Sequence, residues 1–89
     1  MAIFLVVPTG DQTGIRKALV DHKSGGHLDF IDLPKNGFFV SFPGTSQELS
    51  DVIGISDGSS GLGVVAGVSS YYGRAPTNIW DWVKSRMEA

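Results

Sequence analysis

The chain contains no cysteine, and that absence removes disulfide staples, thiolate-held metals and cysteine nucleophiles together. Charge is scarce as well: Asp, Glu, Lys and Arg make up 18% of the residues, with a net charge of −2. Without a basic surplus, sequence-independent attraction to a phosphate backbone is disfavoured. Long apolar runs are missing too. The opening Met1-Ala2-Ile3-Phe4-Leu5-Val6-Val7 has no basic leader and stops at Pro8, so it reads as neither a signal peptide nor a membrane span, and a cytoplasmic chain with no membrane partner is expected. The 42% of hydrophobic residues is that of a folded chain, and 89 residues suit a single domain over 1–89. That is near the size at which burial only just offsets chain entropy, so dimerisation would help.

Hydrophobic period and turn chemistry place the elements. Ile3 to Val7 is apolar on both alternating faces, the mark of a central strand. After Pro8-Thr9-Gly10-Asp11, the helical spacing of Ile15, Ala18, Leu19 and His22 predicts an amphipathic helix that stops at Gly25-Gly26. His27 to Leu33 and Phe38 to Phe42 flank Pro34-Lys35-Asn36-Gly37 and form a hairpin. Thr45-Ser46-Gln47-Glu48 is a capping box that starts a second helix, with Gly54 as its left-handed terminator. A polar loop from Asp57 to Gly63 leads into a last strand, Val64 to Val68, and a terminal helix runs from Pro76 or Thr77 to Met87. The order β-α-β-β-α-β plus a helix predicts an α+β fold: a ferredoxin-like plait with an additional C-terminal helix and an antiparallel four-stranded sheet.

In such a plait two helices cover one sheet face and the other is left open. Pairing the hairpin's second strand with the first assigns Phe4, Val6 and Phe39 to that open side. An aromatic patch of this kind is covered by the extra helix, by a second subunit or by a ligand. Ile3-Phe4-Leu5-Val6 and Lys35 to Phe42 resemble the two strand motifs of an RNA recognition motif, whose exposed aromatics stack on bases. Phe4 and Phe39 fall at the stacking places, while Gly37 stands where a third ring would be.

The densest chemistry lies near the end, in Tyr71-Tyr72-Gly73-Arg74-Ala75-Pro76-Thr77-Asn78-Ile79-Trp80-Asp81-Trp82. Tyr71, Tyr72 and Arg74 could hold a small anion or a peptide, or could form a strand-to-helix corner in which the tyrosines pack and Gly73 supplies an unusual backbone angle. On the terminal helix Ile79, Trp80, Val83 and Met87 make one stripe, assigning Trp80 to the core. Trp82 falls at the stripe's edge beside Arg86, suited to a partner surface. Gly58, Gly61 and Gly63 lead into a strand with no Lys-Ser/Thr after them, which is not a phosphate loop. His22, His27, Asp29 and Asp32 lack a recognised ligand spacing, and no nucleophile elbow is present. No metal, cofactor or catalytic residue is therefore expected.

With the plait and this aromatic block together, the chain resembles small bacterial proteins labelled SinR-like, structurally akin to the CRISPR-associated plait endoribonucleases. The resemblance spans most of the chain: the N-terminal apolar strand, the hairpin, the Ser46 to Ile55 helix with its Leu-Ser-Asp-x-Ile-Gly-Ile ending, and, most specifically, the Trp-x-Trp helix. It implies a homodimer formed through plait edges or sheet faces, in a group with no well-defined activity. The nuclease relatives carry a metal-binding Asp at the end of the first strand. Here Val7-Pro8 occupies that place and Asp11 lies beyond a turn, so the metal-nuclease role does not carry over. The reading is a non-catalytic, dimeric binding or regulatory module whose interface uses Phe4, Val6, Phe39 and Trp82. The alternative is an RNA- or DNA-binding plait, with or without vestigial metal-dependent nuclease activity, using Phe4, Phe39 and Arg74.

Overall fold

A computed structural model describes residues 2–87. The apolar opening becomes strand β1 (Ala2–Pro8), and both of its neighbours run antiparallel to it. On one side lies β3 (Phe38–Phe42), itself paired with β2 (Asp29–Asp32); on the other lies β4 (Gly63–Gly67). The result is an α+β architecture: a four-stranded antiparallel sheet in the order β2-β3-β1-β4, with helices α1 (Thr13–Ser24), α2 (Ser46–Val52) and α3 (Thr77–Met87). Among the described residues no helix is long and apolar enough to cross a membrane.

Local chemistry sets the element ends. Thr45 Oγ1 accepts the Glu48 amide at 3.1 Å while Glu48 Oε1 accepts the Thr45 amide at 3.1 Å, so the capping box supplies partners for two amides at the start of α2. Ahead of α1, Asp11 Oδ1 accepts both the amide and the hydroxyl of Thr13, at 2.9 and 2.7 Å. Those bonds hold the exposed Asp11 carboxyl below the usual carboxylate range. In the β2–β3 turn the Leu33 amide donates to the Gly37 carbonyl at 3.0 Å, and Gly37 adopts φ +93°, a backbone state that favours glycine.

The sheet register decides which side chains form the main core. Residues directly opposite in an antiparallel pair share a face. Phe4 stands opposite Val40, and Val6 stands opposite both Phe38 and Val65. That face is covered by α1 and α2, and it packs Phe4, Val6, Phe30, Phe38, Val40 and Phe42 against Ile15, Leu19, Leu49 and Ile53. Phe4 meets Phe42 edge-on at 6.3 Å between ring centres, and Phe30 meets Phe38 likewise at 5.9 Å.

This corrects the expectation that Phe4 and Val6 share an open face with Phe39 and serve as an interface. Phe4 is 4% exposed and Val6 0%, both inside the core, whereas Phe39 stands opposite Leu5 on the other face. A shift of one residue in pairing exchanges the two faces. Both faces of β1 are apolar, so nothing in its own sequence resists the wrong choice. The bulky trio Phe38, Val40 and Phe42 decides it, because those three fill the space beneath α1 and α2.

The second face carries Ile3, Leu5 and Phe39, and α3 packs across it against β1. Ile79 and Val83 of α3 are buried there, as is Ile3. The side chain of Met87, the last member of the expected stripe, lies outside the described residues. Of the three coverings left open by the sequence, the additional helix takes the middle of the sheet, while Val7 and Val64 toward β4 remain exposed.

The polar loop before β4 packs tightly on the first turn of α1: a Cβ placed on Gly14 would overlap the Ser60 carbonyl oxygen. In an unobstructed helix Gly→Ala stabilises by about 1 kcal/mol. Here forced overlap with backbone outweighs that gain, since overpacking costs about 1–3 kcal/mol. Gly14→Ala is therefore expected to lower the denaturation midpoint, measured by circular dichroism in urea; a raised midpoint would show that the loop gives way freely.

Candidate functional site

The hairpin turn and the start of α3 meet at one edge of the α3-covered face and leave an open groove of about 400 Å³ between them. Leu33, Pro34, Lys35 and Asn36 of the turn form one wall, with Phe39 of β3 beside them; Tyr72 to Pro76, Ile79 and Trp80 form the other. Each wall is anchored. Asn36 Nδ2 donates to the Pro8 carbonyl at 3.4 Å, which holds the turn against the end of β1. The Ile79 amide donates to the Pro76 carbonyl at 3.0 Å, closing the turn that enters α3.

The aromatic block divides its labour. Tyr71 stacks on Trp80 with ring centres 5.6 Å apart and planes 17° apart. That contact leaves Trp80 half-buried as a wall of the groove, which corrects its expected place in the core: the other side of its ring is taken by a tyrosine from the loop rather than by the sheet. Tyr72 is fully exposed at the groove's rim. Gly73 lies at φ +154°, the unusual angle anticipated for this corner.

Two cations border the groove. Neither Lys35 nor Arg74 forms an ion pair or a hydrogen bond among the described residues, and both are exposed. Arg16, Lys17, Lys23 and Arg86, by contrast, each have a carboxylate partner. The lining holds no carboxylate, imidazole or serine. It offers aromatic faces and positive charge, an arrangement suited to holding a flat, negatively charged group.

The remaining candidates lie elsewhere. Trp82 is half-buried outside the groove, and the Arg86 guanidinium sits 4.4 Å above its ring. Arg86 in turn donates through Nε at 3.1 Å, and also through Nη2, to Oδ2 of Asp29. The other oxygen of Asp29 faces Lys23 at 3.2 Å and accepts the Phe30 amide at 2.9 Å. One carboxylate thus ties α3 to β2 and to the end of α1. Asp32 is engaged by Arg16 through both oxygens, at 3.2 and 3.0 Å, and the rings of His22 and His27 contact each other with Nδ1 atoms 3.3 Å apart. His22, His27, Asp29 and Asp32 therefore do not converge on a common point.

Sequence reasoning found Arg74, Tyr72 and Phe39 and placed the Pro34 to Gly37 turn, but it did not assign Lys35 or that turn to the site. Its signal was weak: a lysine at a turn tip is ordinary, and only the long-range approach of two loops gives it a partner surface. Comparison with family models, curated proteins and solved structures found no match to this chain.

Burial alone would raise the Asp29 pKa, but the hydrogen bonds from Arg86, Lys23 and the Phe30 amide outweigh it and leave the carboxyl below its ordinary 3.8. A depressed folded value means that its stabilising contribution is present above 3.8 and is lost as pH falls through the folded pKa. Acid titration followed by tryptophan fluorescence is expected to show α3 loosening in that window. Asp29→Asn should be less stable at neutral pH and should lose less on acidification; an unchanged acid profile in the variant would remove Asp29 from this role.

Proposed function

We propose that the fold is a ferredoxin-like plait with an additional C-terminal helix, related to the SinR-like proteins, and that the protein is a non-catalytic, homodimeric, cytoplasmic binding module. Its groove takes an anionic ligand with a flat apolar part. The strand order and the β-α-β-β-α-β succession support the plait. One observation carries the functional reading: two cations without carboxylate partners, Lys35 and Arg74, border a groove walled by Phe39, Tyr72 and Trp80. Polar groups that lack a protein partner beside an apolar concavity favour recognition of a complementary ligand. The metal-nuclease alternative has little support, since Asp11 is engaged with Thr13 at the start of α1.

A second reading has one observation in its favour. Phe39, Tyr72 and Arg74 line the same groove, so a single-stranded nucleic acid could stack a base on the exposed Tyr72 ring and set a phosphate between Lys35 and Arg74. Burial of Phe4 removes half of the platform that this reading first relied on. The net charge of −2 leaves little attraction beyond the groove itself.

Titration with a nucleoside monophosphate, an aromatic carboxylate and a short oligonucleotide, followed by amide chemical shifts, separates these readings. Shifts are expected to cluster at 33–36, at Phe39 and at 72–80. Charge-assisted hydrogen bonds contribute about 1.5–3 kcal/mol each, so Arg74→Ala should weaken binding at least about tenfold. Shifts scattered away from the groove, or indifference to Arg74→Ala, would overturn the reading. Tighter, steeply salt-dependent binding of the oligonucleotide than of either small anion would favour nucleic acid instead.

A further inference from the structure

Strand β4 is an outer strand of the sheet, and its register with β1 reveals which backbone groups face outward. The Val68 amide donates to the Ile3 carbonyl at 2.9 Å and the Thr9 amide to the Leu62 carbonyl at 2.9 Å, while Leu5 stands opposite Ala66 and Val7 opposite Val64. Hydrogen-bonded pairs alternate along an antiparallel ladder. Residues 62, 64, 66 and 68 therefore turn their amides and carbonyls toward β1, and Gly63, Val65 and Gly67 turn theirs away from it. Among the described residues no backbone group from elsewhere in the chain bonds to those three.

An exposed edge of this kind is normally blunted by lysine, proline or a bulge. Here the stretch from Gly58 to Gly73 contains neither a charged residue nor a proline. Two of the three outward residues are glycines, and a Cβ at Gly67 would meet nothing within 4 Å, so another backbone can come close. At the β4 end of the face that α3 covers in its middle, Leu62, Val64 and Val7 are 64%, 54% and 37% exposed, a strip of apolar surface beside the edge.

We infer that β4 is the homodimer interface: a second copy of this chain pairs with it antiparallel about a two-fold axis at Val65, extending the sheet through both subunits. In that register Val65 faces Val65 of the other copy and Gly63 faces Gly67, each in a hydrogen-bonded pair, while Val64 faces Ala66 in a non-hydrogen-bonded pair. The strand suits itself as a partner. Uncharged positions meet uncharged positions, the bulky central residue is flanked by glycines on both strands, and the apolar strips of the two copies become continuous. The inference rests on the homodimer reading above and replaces the interface expected from Phe4 and Val6, which are buried.

The chain has no cysteine of its own, so engineered ones report without background. Cα atoms of a non-hydrogen-bonded pair lie about 4.5 Å apart, within disulfide range. The experiment oxidises Val64→Cys alone, Ala66→Cys alone and their equimolar mixture, with sedimentation of the unmodified protein alongside. Both sites are exposed, so the fold should tolerate the changes. The expected result is a dimer in sedimentation and a cross-linked species formed at least about tenfold faster in the mixture than in either variant alone. Gly67→Pro, which removes one outward amide, should shift the protein to monomer with its circular dichroism unchanged. A dimer whose cross-linking shows no preference for the mixture, or that survives Gly67→Pro, would move the interface elsewhere and leave the homodimer intact. A monomer at high concentration would overturn both. Groove binding is measured separately, at Lys35 and Arg74, and stands or falls on its own.

Discussion

Strand β1 carries apolar side chains on both faces, and a strand of that kind must be covered twice. Phe4 and Val6 require α1 and α2; Ile3 and Leu5 require a further layer, which α3 supplies. Burying a Leu, Ile, Val or Phe side chain contributes about 1.5–3 kcal/mol, whereas a partly exposed ion pair contributes at most about 1 kcal/mol. The docking of α3 is therefore driven by Ile79, Val83 and the sheet side chains beneath them. The contact of Arg86 with Asp29 sets where the helix comes to rest more than whether it docks.

That resting position creates the groove. The segment before α3 is drawn across to the β2–β3 turn, and Tyr71 closes one side of Trp80 while the other side remains available. The distribution of charge follows from the same geometry. Asp29 and Asp32 engage Arg16 and Lys23 of α1 and Arg86 at the far end of α3, whereas Lys35 and Arg74 keep no carboxylate partner. An acidic chain thereby acquires a locally positive groove.

Most of the architecture was legible because each element carried its own chemistry. The Thr45 capping box, the Pro34 to Gly37 turn and the period of Ile15, Ala18 and Leu19 are local signals, and local physics honours them. The facing of β1 was not legible, because a strand apolar on both sides gives no preference and the deciding residues, Phe38, Val40 and Phe42, act through a neighbouring strand. The groove was half legible for a related reason. Arg74 and Tyr72 stood out by composition, but Lys35 joins them only through the approach of segments nearly 40 residues apart in the sequence. The aromatic rings misled in one respect: Trp80 fits an apolar stripe by period, yet a loop tyrosine competes with the sheet for its face.

The position of β1 at the centre of the sheet also has a consequence in time. It is synthesised before the elements it pairs with, since its partner β4 ends at Gly67 and its second cover ends at Met87. Pairings this distant along the chain form slowly, because the intervening segment must lose its freedom before the contact rewards it. This apolar strand thus leaves the ribosome before either of its neighbours, β3 or β4, has been made. Until α3 emerges, Ile3 and Leu5 lack the cover that it supplies in the folded chain.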